Sequence, residues 1–150
     1  MRVSIVQGNI TQSLKWTQGA VATGVARYVA MTRRVAAFHP QLVVWPETVV
    51  AEALDRDPAN VRRFAELARE MRATILVGAL ETRDRKLYNA LYVFGSGGRL
   101  DGVYEKRQLL PFAERVPVKA QLSGLPFVAE LGGEFSAGTQ DAVYDDAPLR

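Results

Sequence analysis

Hydrophobic residues recur along this chain with two different periods, and the switches between them mark out its elements. RVSIVQG at 2–8 sets Val3 and Ile5 against Ser4 and Val6 and then meets Gly8 and Asn9, a strand that ends in a loop. From about Gln18 to Phe38 the spacing lengthens to three or four, through Val21, Val25, Tyr28, Val29, Thr32, Val35 and Ala36, which predicts an amphipathic helix. QLVVW at 41–45 is apolar on both alternating faces, as a strand buried on both sides must be, and Pro46 ends it because it brings no ladder donor. Asp57-Pro58 pairs an N-cap acid with proline at the first helical position, and Val61, Phe64, Leu67, Ala68 and Met71 supply the stripe of a second helix.

ATILVGAL at 73–80 is another doubly apolar strand, and YNALYVF at 88–94, GSGG at 95–98 and RLDGVYE at 99–105 together predict a hairpin with a glycine-rich connection. GSGG is not a phosphate loop on this reading, since strands flank it and no helix follows to point its N-terminus at an anion. Past Pro117 the pattern weakens into loops, with one or two short strands, and a charged tail. The order strand, helix, strand, helix, strand, strand, strand implies a layered α/β sheet with helices on one face. The other face of its doubly apolar strands needs a cover that these elements do not supply.

Composition narrows the chemistry. A length of 150 residues suits one domain, and 48% apolar against 23% charged residues is a globular balance. The net charge of +3 is spread along the chain, so Arg33-Arg34 and Arg62-Arg63 are expected to be solvated helix faces, and nucleic acid is not an expected partner. With no cysteine there is no disulfide, no thiolate metal site and no thiol nucleophile in these residues. The single histidine, His39 before Pro40, is expected at a helix end in a surface or packing role. No metal or cofactor is expected. No charge-free run approaches the ~18 apolar residues of a membrane span, and the N-terminus lacks a signal-peptide layout, so the chain by itself is expected to be soluble.

Three charged residues fall at or near the ends of predicted apolar strands: Glu47 after LVVWP, Lys106 after GVYE, and Glu114 after LLPFA. Charges so placed are costly unless paired, so pairing is expected. For any one of them a salt bridge or a cap is the plain alternative, as it is for Glu52, Glu66 and Glu81. Glu47 and Lys106 stand apart because each is fixed at the edge of a buried strand, where a carboxylate beside an ammonium makes a general base next to an oxyanion stabiliser. None of the five serines lies in a GxSxG elbow, so the helpers lack a nucleophile.

VQGNITQSLKW at 6–16, LVVWPET at 42–48, YEKRQLLPFAERVP at 104–117, LYNALYVF at 87–94 and GEFSAG at 133–138 together resemble the nitrilase, or carbon-nitrogen hydrolase, superfamily, and within it most closely the catalytic domains of the apolipoprotein N-acyltransferase family. The resemblance implies a nitrilase-like αββα sandwich and a Glu-Lys-Cys triad. It makes Glu47 the base, Lys106 the oxyanion-stabilising lysine, and Glu114 a second glutamate that helps to place the lysine. It also implies that residues 1–150 are the N-terminal part of such a domain, inactive alone, with the cysteine and the second half of the sandwich beyond Arg150. For the intact family member it implies a phospholipid acyl donor, a lipoprotein N-terminus as acceptor, and a place at the periplasmic face of the bacterial inner membrane. Ala113 departs from the usual glycine of the PFGE pattern. A soluble amidase of the same superfamily and a degenerate binding module remain the alternatives.

Overall fold

The structure, a computed structural model, describes residues 1–10, 19–111, 114 and 135–140. Ala113, the charged tail and most of the stretch past Pro117 lie outside the described residues. The elements are β1 (Val3–Ile5), α1 (Ala20–Arg34) running into a 3₁₀ turn (Val35–Phe38), β2 (Leu42–Val44), β3 (Val50–Ala53), a second 3₁₀ turn (Leu54–Arg56), α2 (Pro58–Met71), β4 (Thr74–Arg83), β5 (Lys86–Gly95) and β6 (Arg99–Glu105). One sheet holds all six strands in the order β1-β2-β4-β5-β6, with β3 against β4. β1, β2, β3 and β4 run parallel, and β5 and β6 are antiparallel.

Each element follows from its residues. Asp57 accepts from the Asn60 N–H at 3.0 Å and caps α2, whose buried stripe is Phe64, Leu67 and Ala68. The β5–β6 hairpin turns at Gly98, held at φ 81° with its N–H on the Gly95 carbonyl at 2.9 Å, so GSGG is a connection as expected. Gly8 is a glycine for a packing reason: a Cβ there would meet the Tyr28 ring at 2.7 Å, and the Tyr28 hydroxyl accepts from the Gly8 N–H at 2.9 Å.

Three expectations need correction. β3 was not anticipated, because VAEA shows neither alternation nor an apolar run. The first helix stops four residues early, and in its 3₁₀ ending the side chains rotate so that Ala36 and Phe38 are exposed. Glu81, expected in a salt bridge or a cap, makes neither among the described residues, and its Oε2 is buried without a partner there. His39 is exposed at the end of that turn with φ 46°, as expected for a surface residue.

Both helices pack on one face of the sheet. Val25, Tyr28 and Val29 of α1 and Phe64, Leu67 and Ala68 of α2 meet Val43, Ile75, Val77, Ala79, Ala90, Tyr92 and Phe94 in a single core. Side chains alternate along a strand, so Leu42, Val44, Leu76, Leu91 and Tyr104 share the opposite face with Val3 and Ile5. On that face Val3 is 46% exposed and Ile5 76% exposed, and none of these seven belongs to the core under the helices. No helix among the described residues is long and apolar enough to cross a membrane.

At one end of the helix face three buried oxygens lack hydrogen-bond partners among the described residues: Glu81 Oε2, Glu105 Oε1 and the Tyr92 hydroxyl. Arg83 Nη2 lies 2.7 and 2.8 Å from the two oxygens of Glu105 but is aligned only with Oε2. Burial, then the charge of Glu105, pushes the Glu81 carboxyl above its ordinary 4.5, with Arg83 opposing and Asp55 adding to the rise. A raised carboxyl means that the folded state holds its proton longer than the unfolded state, so stability falls as pH climbs from about 4.5 through the folded value. Glu81→Gln is therefore expected to stabilise the chain at pH 7 by roughly 1 kcal/mol and to flatten that decline, as urea denaturation at pH 4, 5.5 and 7 will read.

Candidate active site

Glu47 reaches its position through an interruption of strand pairing. β2 follows β4 as far as Val44↔Leu76, and the Trp45 N–H still reaches the Leu76 carbonyl at 2.9 Å. Pairing resumes at Val50↔Ala79, so the chain has advanced from 44 to 50 while β4 has advanced only from 76 to 79. The surplus, Pro46-Glu47-Thr48, arches over the helix-free face. Gly78 of β4 makes room for it: a Cβ there would collide with the Pro46 carbonyl and come within 2.7 Å of the Thr48 nitrogen and 2.8 Å of the Glu47 Cα. Thr48 sits at φ 50°, a left-handed conformation that costs a β-branched residue about 1–3 kcal/mol.

Lys106 follows the last residue of β6 on the same face as Tyr104, and its N–H binds the Asn89 carbonyl at 2.8 Å. Its Nζ lies 2.8 Å from Glu47 Oε1 and 3.1 and 2.9 Å from the two oxygens of Glu114. Glu114 is held at its backbone as well: its N–H donates to the Leu110 carbonyl at 2.9 Å, its Oε2 accepts from the Leu110 N–H at 2.8 Å, and its carbonyl accepts from the Phe135 N–H at 3.0 Å. The segment that begins at Phe135 continues along the site, with the Ser136 N–H on the Leu87 carbonyl at 2.7 Å and the Gly138 N–H on the Lys106 carbonyl at 3.0 Å. The stretch from Phe135 to Gly138 thus straps Lys106 and Glu114.

All three residues singled out in the sequence come together. A fourth, Asn89, escaped notice. It is 5% exposed in β5, and its Nδ2 donates to Glu47 Oε1 at 2.6 Å and to Glu114 Oε1 at 2.9 Å, while its Oδ1 accepts from the Thr48 hydroxyl at 3.3 Å. A carboxamide at even spacing with Leu91 and Val93 was the available signal, because a buried amide requires partners.

The two acids differ. The Glu114 side chain is 14% exposed and that of Glu47 59%, with Lys106 at 32%. Burial pushes the Glu114 carboxyl up, but the Leu110 N–H, Lys106 and Asn89 outweigh it and hold the group below its ordinary value. Burial pulls the Lys106 ammonium down, and hydrogen bonds to Glu47 and Glu114 outweigh that and leave it raised. Glu114 therefore adds stability above about pH 4.5 that is lost as pH falls through its lower folded value. Glu47 Oε1 is occupied by Lys106 and Asn89, and its Oε2 has no hydrogen-bond partner among the described residues. Among those residues no group of His, Cys, Asp or Glu is arranged to hold a metal.

A parallel-centred sheet with helices on one face and a carboxylate-lysine-carboxylate cluster on the other defines the class, and the chain belongs to the carbon-nitrogen hydrolase family, whose model matches residues 2–144. It is 36% identical to the apolipoprotein N-acyltransferase of Geobacter metallireducens over 96% of this chain and 29% of that protein. It is 34% identical to the apolipoprotein N-acyltransferase of Methylococcus capsulatus over 92% of this chain and 27% of that one. The chain thus spans less than a third of the length of these curated relatives. Among solved structures, it superposes on a CN-hydrolase superfamily protein from Xanthomonas campestris with a TM-score of 0.68 at 21% identity, over 98% of this chain and 49% of that one. A carbon-nitrogen hydrolase from Helicobacter pylori gives a TM-score of 0.62 at 16% identity, over 73% of this chain and 40% of that one. The nitrilase-like fold expected from the sequence is the fold of the chain, and the coverage of the solved chains fits part of that domain.

Proposed function

We propose that residues 1–150 carry the base and the oxyanion-stabilising lysine of an apolipoprotein N-acyltransferase, as the N-terminal part of its carbon-nitrogen hydrolase domain. The observation that carries this reading is the Lys106 ammonium shared between Glu47 and Glu114, with the outer oxygen of Glu47 left open. The chain has no cysteine, so on this reading the thiol is supplied by residues outside these 150, which are inactive without it.

In the first half-reaction Glu47 Oε2 takes the proton of that thiol, and the thiolate adds to an ester carbonyl of a phospholipid. Lys106 stabilises the oxyanion, and collapse expels the lysophospholipid alkoxide, which recovers the proton from Glu47. In the second, the N-terminal amine of a diacylated lipoprotein adds to the thioester, Glu47 takes a proton from the amine and passes it to the departing thiolate, and an amide remains. Glu114 keeps the ammonium in place through both. The whole protein works at the periplasmic face of the inner membrane, where both substrates are anchored.

The test uses the polypeptide continued through its own reading frame past the next cysteine, given phospholipid with a labelled acyl chain and a diacylated lipopeptide. The expected result is a hydroxylamine-sensitive acyl adduct on that cysteine followed by label on the lipopeptide amine, both lost in Glu47→Gln. A continuation without a cysteine overturns the reading. Hydrolysis of short amides without acyl transfer assigns a soluble amidase instead.

A further inference from the structure

We propose that Asn89 is a positioning residue for the proposed base, a neutral bridge that holds Glu47 and Glu114 on one ammonium, and that the Thr48 hydroxyl fixes which way its amide points. The proposal rests on the reading of Glu47 as the base, but its geometry stands apart from any acyl chemistry.

Two carboxylates that converge on a single ammonium leave a net negative charge and repel each other. A second cation would relieve the repulsion and would also weaken Glu47 as a proton acceptor. Asn89 avoids this because it brings donors without charge. Its Nδ2 carries two hydrogens, and two carboxylate oxygens, at 2.6 and 2.9 Å, receive them. The amide is 5% exposed, so water does not replace either acid.

Only one amide orientation works. Turned over, the carbonyl oxygen would face both carboxylates with no hydrogen to offer them, and the Thr48 hydroxyl would have to accept instead of donate. The carboxylates exclude the turned-over amide, and the Thr48 hydroxyl, 3.3 Å from Oδ1, holds the working orientation from the other end. Thr48 occupies that place because the Pro46–Thr48 arch holds it at φ 50° beside Gly78. The residue after the base thus reaches across to β5 and aims the amide that comes back to hold the base. The loop is closed: Glu47 to Thr48 by the chain, Thr48 to Asn89 and Asn89 to Glu47 by hydrogen bonds.

The test is NMR on the 150-residue chain, following the Asn89 side-chain NH₂ signals and the Glu114 carboxyl titration in Thr48→Ser, Thr48→Val and Asn89→Asp. If the hydroxyl orients the amide, Thr48→Ser keeps slow NH₂ exchange and the wild-type Glu114 midpoint. Thr48→Val, which keeps the shape without the hydroxyl, speeds exchange at least about tenfold and raises the midpoint. A packing role for the β-branched side chain gives the reverse order, valine like wild type and serine impaired, and overturns the proposal. Asn89→Asp replaces both donors by acceptors and is expected to raise the Glu114 midpoint by about one unit or more. An unchanged midpoint in a folded Asn89→Asp chain also overturns it. If Asn89→Asp does not fold, the serine and valine pair decides. None of these readouts depends on a thiol or a lipid, so failure of the acyl-transfer assay leaves them intact, and their failure leaves that assay to be judged by itself.

Discussion

Lys106→Met is expected to reverse the pH response of Glu114 and to remove most of the catalytic rate of any longer polypeptide that supplies the thiol. The ammonium touches two acids, but the two contacts do not count equally. Glu47 is 59% exposed, and an ion pair that open contributes little. Glu114 is 14% exposed, and without the lysine it keeps, among the described residues, the Leu110 N–H and the Asn89 amide against the charge of Glu47. Its carboxyl, now below its ordinary value, is expected to rise above it. The sign of the linkage then changes: the wild type loses stability as pH falls through the Glu114 midpoint, whereas the variant gains it. Urea denaturation should show a loss of roughly 1–3 kcal/mol at pH 7 that shrinks toward pH 3. If Lys106 is the oxyanion donor proposed above, its loss should lower kcat for acyl transfer by on the order of 10²–10³. A variant with the wild-type pH profile would remove Lys106 from the centre of the cluster.

Trp45→Ala is the substitution with the largest expected effect on folding. Trp45 is 1% exposed, and its ring lies 5.2 Å from both the Tyr28 and the Phe64 rings, tilted on the first and edge-on to the second. Phe64 continues the row to Phe94 at 5.7 Å, so α1, the residue that follows β2, α2 and β5 are joined through one aromatic file. The indole N–H donates to the buried Thr32 hydroxyl at 2.9 Å. Alanine would open a cavity and leave that hydroxyl without its donor. Loss of about 3–5 kcal/mol follows, a large share of the ~5–15 kcal/mol that stabilises a typical domain. Trp45→Phe should fill most of the space and cost about 1 kcal/mol for the lost N–H. Denaturation followed by circular dichroism will rank the two. An alanine variant within 1 kcal/mol of wild type would mean that the core closes over the gap.

The sequence showed some parts of this plainly and hid others for identifiable reasons. Asp57-Pro58 and the stripe from Val61 to Met71 mark α2 because capping and helical period are local. β4, β5 and β6 were legible from apolar runs flanking GSGG. β3 was hidden because Val50–Ala53 pairs only where the arch returns to β4, a tertiary event with no local period. Glu47 and Lys106 stood out because each follows an apolar strand, and the family resemblance supplied Glu114's role. Asn89 was hidden inside a run that any buried strand would show, since its partners come from Glu47, 42 residues before it, and Glu114, 25 residues after it. Glu81 was misread because nothing in ALETR reveals that its face is covered.

The pairing of β5 with β4 and β6 also sets when in folding the charged cluster can exist. Leu80↔Asn89 on one side and Leu91↔Tyr104 on the other place the amide and the lysine over the same cleft, and a slip by a single residue would turn Asn89 toward the helices. Glu47 and Lys106 are 59 positions apart, so their meeting waits on long-range docking. Strand alignment, to which Tyr92 and Phe94 contribute by packing under the helices, is therefore a precondition of the charged cluster and not its consequence.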